Sequence, residues 1–205
     1  MIIEIDAATP EPWLVARAVD VLRRGGVAVV PTDTVYGLAC GLEFPASIKR
    51  IYELKDLDPK KPLALLVADM TTIGTYARGV TTPVFRMMKR VLPGPYTFIF
   101  NASPEVPKIM LRKRRTIGIR MPDNPILLAV LEALGTPLMT TSIRTRDDDF
   151  INDPVTIEEV YGPKVDLLID GGPLKPEPST VVDFSSGEPE VLREGKGDLE
   201  ALELQ

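Results

Sequence analysis

The sequence predicts an α/β protein, a single domain built on a twisted mixed parallel/antiparallel sheet with helices on its faces. Three observations predict it. Short apolar runs alternate with stretches that carry apolar residues at helical spacing through most of the 205-residue chain. The last two apolar runs, 179–184 and 189–193, follow each other with no helix between them, which a regular (β/α)₈ barrel does not allow. No internal repeat or linker-like change of composition divides the chain, so residues 1–205 are expected to form one unit.

Taken in order, Ile2 to Ile5 reads as a short first strand. Pro10 to Arg24 carries Leu14, Ala18, Val21 and Leu22 on one stripe and ends at Gly25, as a helix does. Val27 to Val30 is apolar throughout and reads as a strand buried on both faces, ended by Pro31. Ser47 to Lys55 repeats the helical stripe, and Asp56 to Pro62 is a charged, proline-punctuated loop before a strand at Leu63 to Val67. Asp69 suits the N-cap of a short helix, and Pro83 the first turn of another, with Phe85, Met88, Val91 and Leu92 facing inward.

Tyr96 to Phe100 alternates as a strand, and Pro104 to Leu111 holds one helical turn. Thr116 to Arg120 is a strand interrupted by Gly118, and Ile126 to Leu134 a helix closed by Gly135. Pro137 to Thr141 is a strand, and Arg144 to Asp153 a polar loop. Thr156 to Tyr161 is a helix and Val165 to Ile169 a strand, followed by a stiff connection over Gly171 to Pro178. Two final strands and a short C-terminal helix complete a count of eight or nine strands.

Composition excludes several chemistries. The chain contains no histidine, which removes Ser-His-Asp and Cys-His activation and every His-based metal site. Its one cysteine, Cys40, leaves no disulfide framework and fits a reducing compartment. The first residues lack a basic region and no apolar run is long enough to span a bilayer, so a soluble cytoplasmic protein with no membrane partner is expected. A net charge of −5 argues against a protein that coats nucleic acid. Arg112-Lys113-Arg114-Arg115 is the local exception, read either as an exposed basic hairpin edge or as a site for phosphate or RNA.

The chemistry gathers at strand ends. The Val27–Val30 strand runs into Thr32-Asp33-Thr34, the 137–141 strand into Thr140-Thr141-Ser142, and the 179–184 strand opens with Ser179-Thr180. If these ends meet, they form a hydroxyl-rich pocket without a strong base, suited to hydrogen-bonding an amino acid, a sugar or a phosphate. Lys55, Lys60, Lys61, Arg120 and Arg193 lie in or beside the same segments and point to an anionic ligand. No GxxxxGK[ST] or GxGxxG loop is present, so a nucleotide would be held by scattered contacts.

Several ordered segments resemble the signature of the YrdC/Sua5 family. They are Pro31-Thr32-Asp33-Thr34-Val35-Tyr36-Gly37-Leu38, Pro93-Gly94-Pro95-Tyr96-Thr97, Ile119-Arg120-Met121-Pro122, residues Pro137 to Ser142, Pro178-Ser179-Thr180-Val181-Val182-Asp183 and Val191-Leu192-Arg193-Glu194-Gly195. The series covers about residues 10 to 197 and looks most like the YciO branch. The resemblance implies a YrdC/RibB-like fold with a positively charged cavity. It also implies L-threonylcarbamoyladenylate synthase chemistry, in which L-threonine, bicarbonate and ATP give threonylcarbamoyl-AMP and pyrophosphate for the t⁶A modification of tRNA.

Carried over by motif, Thr34 contacts threonine with Thr32, Arg120 and Ser179, while Lys55, Lys61, Thr140, Ser142 and Arg193 hold ATP. The chemistry needs no enzyme nucleophile, and Mg²⁺ would bridge ATP phosphates while keeping mostly water ligands. Two positions depart from the synthase pattern. Lys55-Asp56-Leu57 has leucine where a Lys-x-Arg pair is usual, and Thr141-Ser142-Ile143-Arg144 has arginine where Thr-Ser-x-Asn is usual. The alternative is therefore a YciO-type paralogue that binds nucleotide or RNA, either tRNA or double-stranded RNA, with weak or no synthase activity.

Overall fold

The computed structural model describes residues 1–55, 63–111, 115–145 and 149–204. The expected positions Leu57, Lys60 and Lys61, and three of the four residues of the basic run (112–114), lie outside the described residues. In chain order the elements begin with β1 (Ile2–Glu4), α1 (Pro12–Arg23), β2 (Ala28–Val30), β3 (Gly37–Gly41) and α2 (Pro45–Leu54). They continue with β4 (Ala64–Leu66), α3 (Met70–Tyr76), β5 (Ala77–Arg78), α4 (Thr82–Val91), β6 (Tyr96–Ala102) and α5 (Lys108–Leu111). The last are β7 (Thr116–Arg120), α6 (Pro125–Leu134), β8 (Leu138–Ser142), α7 (Pro154–Tyr161), β9 (Leu167–Asp170), β10 (Thr180–Asp183) and β11 (Glu190–Arg193).

Among the described residues these strands form one mixed sheet of 11 strands in the order β1-β9-β2-β3-β8-β4-β7-β6-β10-β11, with β5 paired to β6. β1–β9, β2–β9, β4–β7 and β6–β10 are parallel and the other pairs antiparallel. The sheet exceeds the expected eight or nine strands because β3 and β5 are not evident as strands in the sequence. β3 is rich in Gly and Ala and lacks the β-branched residues that mark a strand, yet all five of its residues are buried between β2 and β8.

Each face of the sheet has its own apolar core. One packs α2, α3, α4, α5 and α7 through residues such as Ile48, Ile51, Met88 and Ile157 onto Phe98, Phe100, Ile117 and Ile119. The other packs α1 and α6, through Leu14, Ala18, Leu22, Leu127 and Val130, onto Ala28, Val30, Leu138 and Leu167. β2 alternates between the two cores, with Val29 on one face and Ala28 and Val30 on the other, which is why its sequence is apolar at every position. Burying a side chain such as Phe100 contributes about 1.5–3 kcal/mol.

α1 and α6 cover only part of their face. Ala64, Thr97, Ile99, Thr116 and Val181 lie on the same face but beyond these helices and stay partly exposed, while their chain neighbours Leu65, Phe98, Ile117 and Val182 are buried in the opposite core. This uncovered strip is the floor of a cavity.

Three expectations are corrected. Phe85 is 41 % exposed, because α4 starts at Thr82 and its 3.6-residue period turns Val84 and Met87 inward beside the expected Met88, Val91 and Leu92. Gly118 does not interrupt β7, which pairs through it with both β4 and β6. The C-terminal helix is a single 3₁₀ turn, Glu200–Leu202, anchored by buried Leu202.

Candidate functional site

The wall of the site is the loop that joins β2 to β3. Pro31 ends β2, and Thr32 then organises the turn. The Thr32 hydroxyl oxygen receives the N–H groups of Thr34 (3.0 Å) and Val35 (3.1 Å), and its proton goes to the Val35 carbonyl (2.7 Å). Its oxygen also lies 3.0 Å from the Thr34 hydroxyl, which in turn accepts from Arg120 at 2.8 Å. A chain of hydrogen bonds thus runs from the guanidinium through two hydroxyls into the backbone.

Arg120 closes β7 and is buried, as are the groups that hold it. Nη2 donates to Asp33 Oδ1 at 2.8 Å as well as to Thr34, while Nε and Asp33 Oδ2 are buried with no partner among the described residues. Burial holds the Arg120 guanidinium below its ordinary value and the Asp33 carboxylate pulls the other way. A buried ion pair that leaves one donor and one acceptor without a protein partner is a costly arrangement to keep.

The floor and far wall enclose a cavity of about 300 Å³. Lys55, Arg120, Arg144 and Arg193 all line it. Arg193 Nε donates to the Ser179 carbonyl (2.9 Å) and Nη2 to the Ser179 hydroxyl (3.1 Å), which also lies 2.8 Å from the Thr97 hydroxyl. Burial, then the like charges of Arg144 and Arg120, hold the Arg193 guanidinium below its ordinary value. Mutual repulsion of this kind is relieved by an anion. Lys55 Nζ reaches the Ser142 carbonyl at the end of β8, and the Arg144 guanidinium lies 4.0 Å from the centre of the Phe150 ring.

Further bonds make the frame rigid. Gly37 must lack a side chain, since a Cβ there would come within 2.7 Å of the Thr140 hydroxyl oxygen. The Tyr36 hydroxyl donates to the Gly172 carbonyl (2.7 Å) and accepts from the Gly171 N–H (3.0 Å), and burial pushes its pKa up to about 12. Asn124 caps α6 through Leu127 N–H (3.0 Å) and donates to the Thr32 carbonyl (3.4 Å). Past β11 the chain returns along β10, where the Thr180 hydroxyl donates to the Gly197 carbonyl (2.6 Å) and accepts from Gly195 N–H (3.0 Å). Lys196 Nζ donates to the Asp33 carbonyl at 2.5 Å, tying this return to the wall.

The three hydroxyl-bearing strand ends therefore do meet. Thr32, Thr140, Ser142 and Ser179 line one cavity with Lys55, Arg120 and Arg193. Thr34 stands one layer behind the wall, supporting Arg120, and Lys61 lies outside the described residues. The Thr140 hydroxyl donates to the Leu38 carbonyl (3.1 Å), so it presents an acceptor until it rotates. Thr180 faces the Gly195–Gly197 return and takes no part in the cavity. Thr97, Thr116 and Asp183 line the cavity but were not singled out by sequence reasoning. The period-two alternation of β6 and β7, which sets Thr97 and Thr116 opposite the buried aromatics and isoleucines, is the signal that identifies two of them.

Comparison with known proteins shows which sequences and folds the chain is similar to. Residues 20–195 match the family model Sua5_yciO_yrdC, described as "Telomere recombination". The chain is 41 % identical over 192 residues to the "Uncharacterized protein YciO" of Escherichia coli (strain K12), covering 93 % of each chain. Its fold superposes on the crystal structure of E. coli YciO with a TM-score of 0.93, covering 98 % of both chains at 39 % identity. It is 35 % identical over 205 residues to the threonylcarbamoyl-AMP synthase of Mus musculus, covering 93 % of this chain and 71 % of that one. The structure of P. abyssi Sua5 complexed with L-threonine aligns with a TM-score of 0.92 at 28 % identity, covering 99 % of this chain and 60 % of that one.

Proposed function

Because the chain belongs to the Sua5/YciO/YrdC family, we propose that it is a threonylcarbamoyl-AMP-synthase-like enzyme that joins L-threonine, bicarbonate and ATP in the cavity bounded by Thr32, Arg120 and Arg193. The observation that carries the reading is the convergence of Lys55, Arg120 and Arg193 with the hydroxyls of Thr32, Ser142 and Ser179 on one cavity. That set offers donors and positive charge without a nucleophile or a strong base.

The reaction suits such a set. The threonine amine and bicarbonate give a carbamate and water, and a carbamate oxygen then forms a bond to the α-phosphorus as the bond to pyrophosphate breaks. Arg120 and Ser179 hold the amino acid, with Thr34 and Asp33 fixing the guanidinium in place. Lys55, Ser142 and Arg193, with Thr140 after rotation and Lys61, hold the nucleotide and offset the charge that builds on its phosphates. Among the described residues no three carboxylate, histidine or cysteine groups gather into a metal cage. Mg²⁺ bridging the nucleotide's phosphates would keep mostly water ligands.

The test is pyrophosphate release by the purified chain with ATP and bicarbonate, with and without L-threonine. Threonine-dependent release is expected, and release that ignores threonine counts against the synthase reading. A second reading draws on Arg144, which brings a fourth cation into the cavity where the synthase pattern has a neutral amide. In that reading the chain binds nucleotide or RNA without completing the reaction. Stabilisation by ATP with no turnover, or salt-dependent RNA affinity, supports it.

A further inference from the structure

Residues 194–198, which leave β11, form a strap that does not line the cavity. Its backbone is fastened along the start of β10. Gly195 N–H donates to the Thr180 hydroxyl (3.0 Å), which donates to the Gly197 carbonyl (2.6 Å). Lys196 N–H donates to the Pro178 carbonyl (2.8 Å), and the Tyr96 hydroxyl to the Asp198 carbonyl (3.0 Å). The strap lies too close to its bed for side chains at either glycine. A Cβ at Gly195 would stand 2.3 Å from the Pro178 carbonyl oxygen, and one at Gly197 2.4 Å from the Tyr96 ring. Between them only Lys196 carries a side chain, and it reaches across to Asp33.

Lys196 has carboxylates two positions away on either side, Glu194 and Asp198, and pairs with neither among the described residues. Its ammonium instead donates to the Asp33 carbonyl at 2.5 Å, across 163 positions of the chain. Asp33 is the residue whose carboxylate holds Arg120 Nη2 at 2.8 Å. The loop around Asp33 is closed by the Thr32 hydroxyl, which receives the N–H groups of Thr34 and Val35. A turn closed by its own hydroxyl sets the loop's shape but not its place against the rest of the sheet. The strap supplies that reference. It begins at Arg193, which holds Ser179, so one short segment is fixed to the far wall at its root and to the Asp33 wall at its tip.

We propose that Lys196 is a positioning residue. By holding the Asp33 carbonyl it sets the Thr32–Tyr36 loop, and through that loop the Arg120 guanidinium, in the geometry that receives an amino acid beside Ser179. The role rests on the reading above that Arg120 and Ser179 hold the amino acid, and it adds to that reading a residue that touches no substrate. A hydrogen bond from an ammonium is stronger than one between neutral groups. A displacement of about 1 Å in a positioning group is enough to cost about a hundredfold in rate.

The experiment pairs amide hydrogen exchange with threonine affinity in the full chain, for wild type, Lys196→Met and Lys196→Arg. Methionine keeps an unbranched side chain and removes the donor, whereas arginine keeps a charged donor. In Lys196→Met the amides of Thr34, Val35 and Tyr36 are expected to exchange at least about tenfold faster, with the β3 amides unchanged. Threonine KM, or Kd by calorimetry where turnover is absent, is expected to rise about tenfold, with ATP KM and kcat within about twofold. Lys196→Arg is expected to restore both. A thermal melt of each variant establishes that it is folded. Unchanged loop exchange in Lys196→Met overturns the brace, whatever the substrate. Faster exchange with unchanged threonine affinity, equal rises in threonine and ATP KM, or no restoration by arginine overturns the positioning role. A wild-type chain that neither turns over nor binds threonine overturns the synthase reading and the amino-acid half of this proposal, while exchange alone decides the brace.

Discussion

Arg120 Nη2 donates to Asp33 Oδ1 at 2.8 Å with both side chains at least nine-tenths buried. The pair joins the end of β7 to the loop after β2, two segments 87 positions apart in the chain. Removing one partner leaves the other as an uncompensated buried charge. Asp33→Ala is therefore expected to lower the unfolding free energy by about 3–5 kcal/mol, and Asp33→Asn by less because it keeps an acceptor. Urea denaturation at neutral pH reads this directly, and an unshifted midpoint in Asp33→Ala would show that the pair carries no such weight.

Ser179 occupies the corresponding position on the opposite wall, between Arg193 and Thr97. Ser179→Ala removes two hydrogen bonds at the cavity edge and is expected to cost no more than about 1–3 kcal/mol of stability. Its larger effect is expected on threonine: at least about a tenfold rise in threonine KM, equivalent to about 1.4 kcal/mol. A pyrophosphate assay at varied threonine checks it, and an unchanged KM removes Ser179 from the threonine contacts.

Gly37→Ala places a methyl group within 2.7 Å of the Thr140 hydroxyl oxygen, which itself bonds the Leu38 carbonyl. Either Thr140 rotates away or β3 and β8 separate. The expected cost is about 1–3 kcal/mol in a thermal or urea unfolding series. A variant as stable as the wild-type chain would mean that the two strands adjust freely.

Cys40 and Tyr36 give the stability a defined dependence on alkaline pH. Burial pushes the Cys40 thiol from 9.0 to about 12 and the Tyr36 phenol from 10.0 to about 12. Both folded-state values are raised, so the stabilisation is fully present below the ordinary values and is lost as pH rises toward 12. The thermal midpoint is expected to fall across that range, and to fall less steeply in Cys40→Ala. At about pH 8 the native thiol should resist a disulfide reagent that modifies it in denaturant. Rapid labelling of the native chain would contradict the burial that raises it.

Much of the fold is legible in the sequence because its signals are local. Leu14, Ala18 and Leu22 repeat at the helical period, Asp69 and Asn124 cap the helices that follow them, and Gly135 ends α6 in a left-handed conformation at φ 75°. β3 was hidden because its residues are chosen for close approach rather than strand propensity. Phe85 leaves the core because one residue of phase in α4 turns it outward.

The site divides the same way. The sequence by itself determined the chemical vocabulary: hydroxyls and arginines at strand ends, no histidine, and a set of segments that resemble one family. Only the tertiary structure decided which of those groups share a space. It set Thr34 behind Arg120 rather than in the cavity, turned Thr180 away, and aligned Thr140, Ala64, Gly118, Ile99 and Asp183 in one row. The physical reason is that a side chain's type is written at its own position, whereas its neighbours depend on register and strand order. Those are fixed by contacts between segments far apart in the chain.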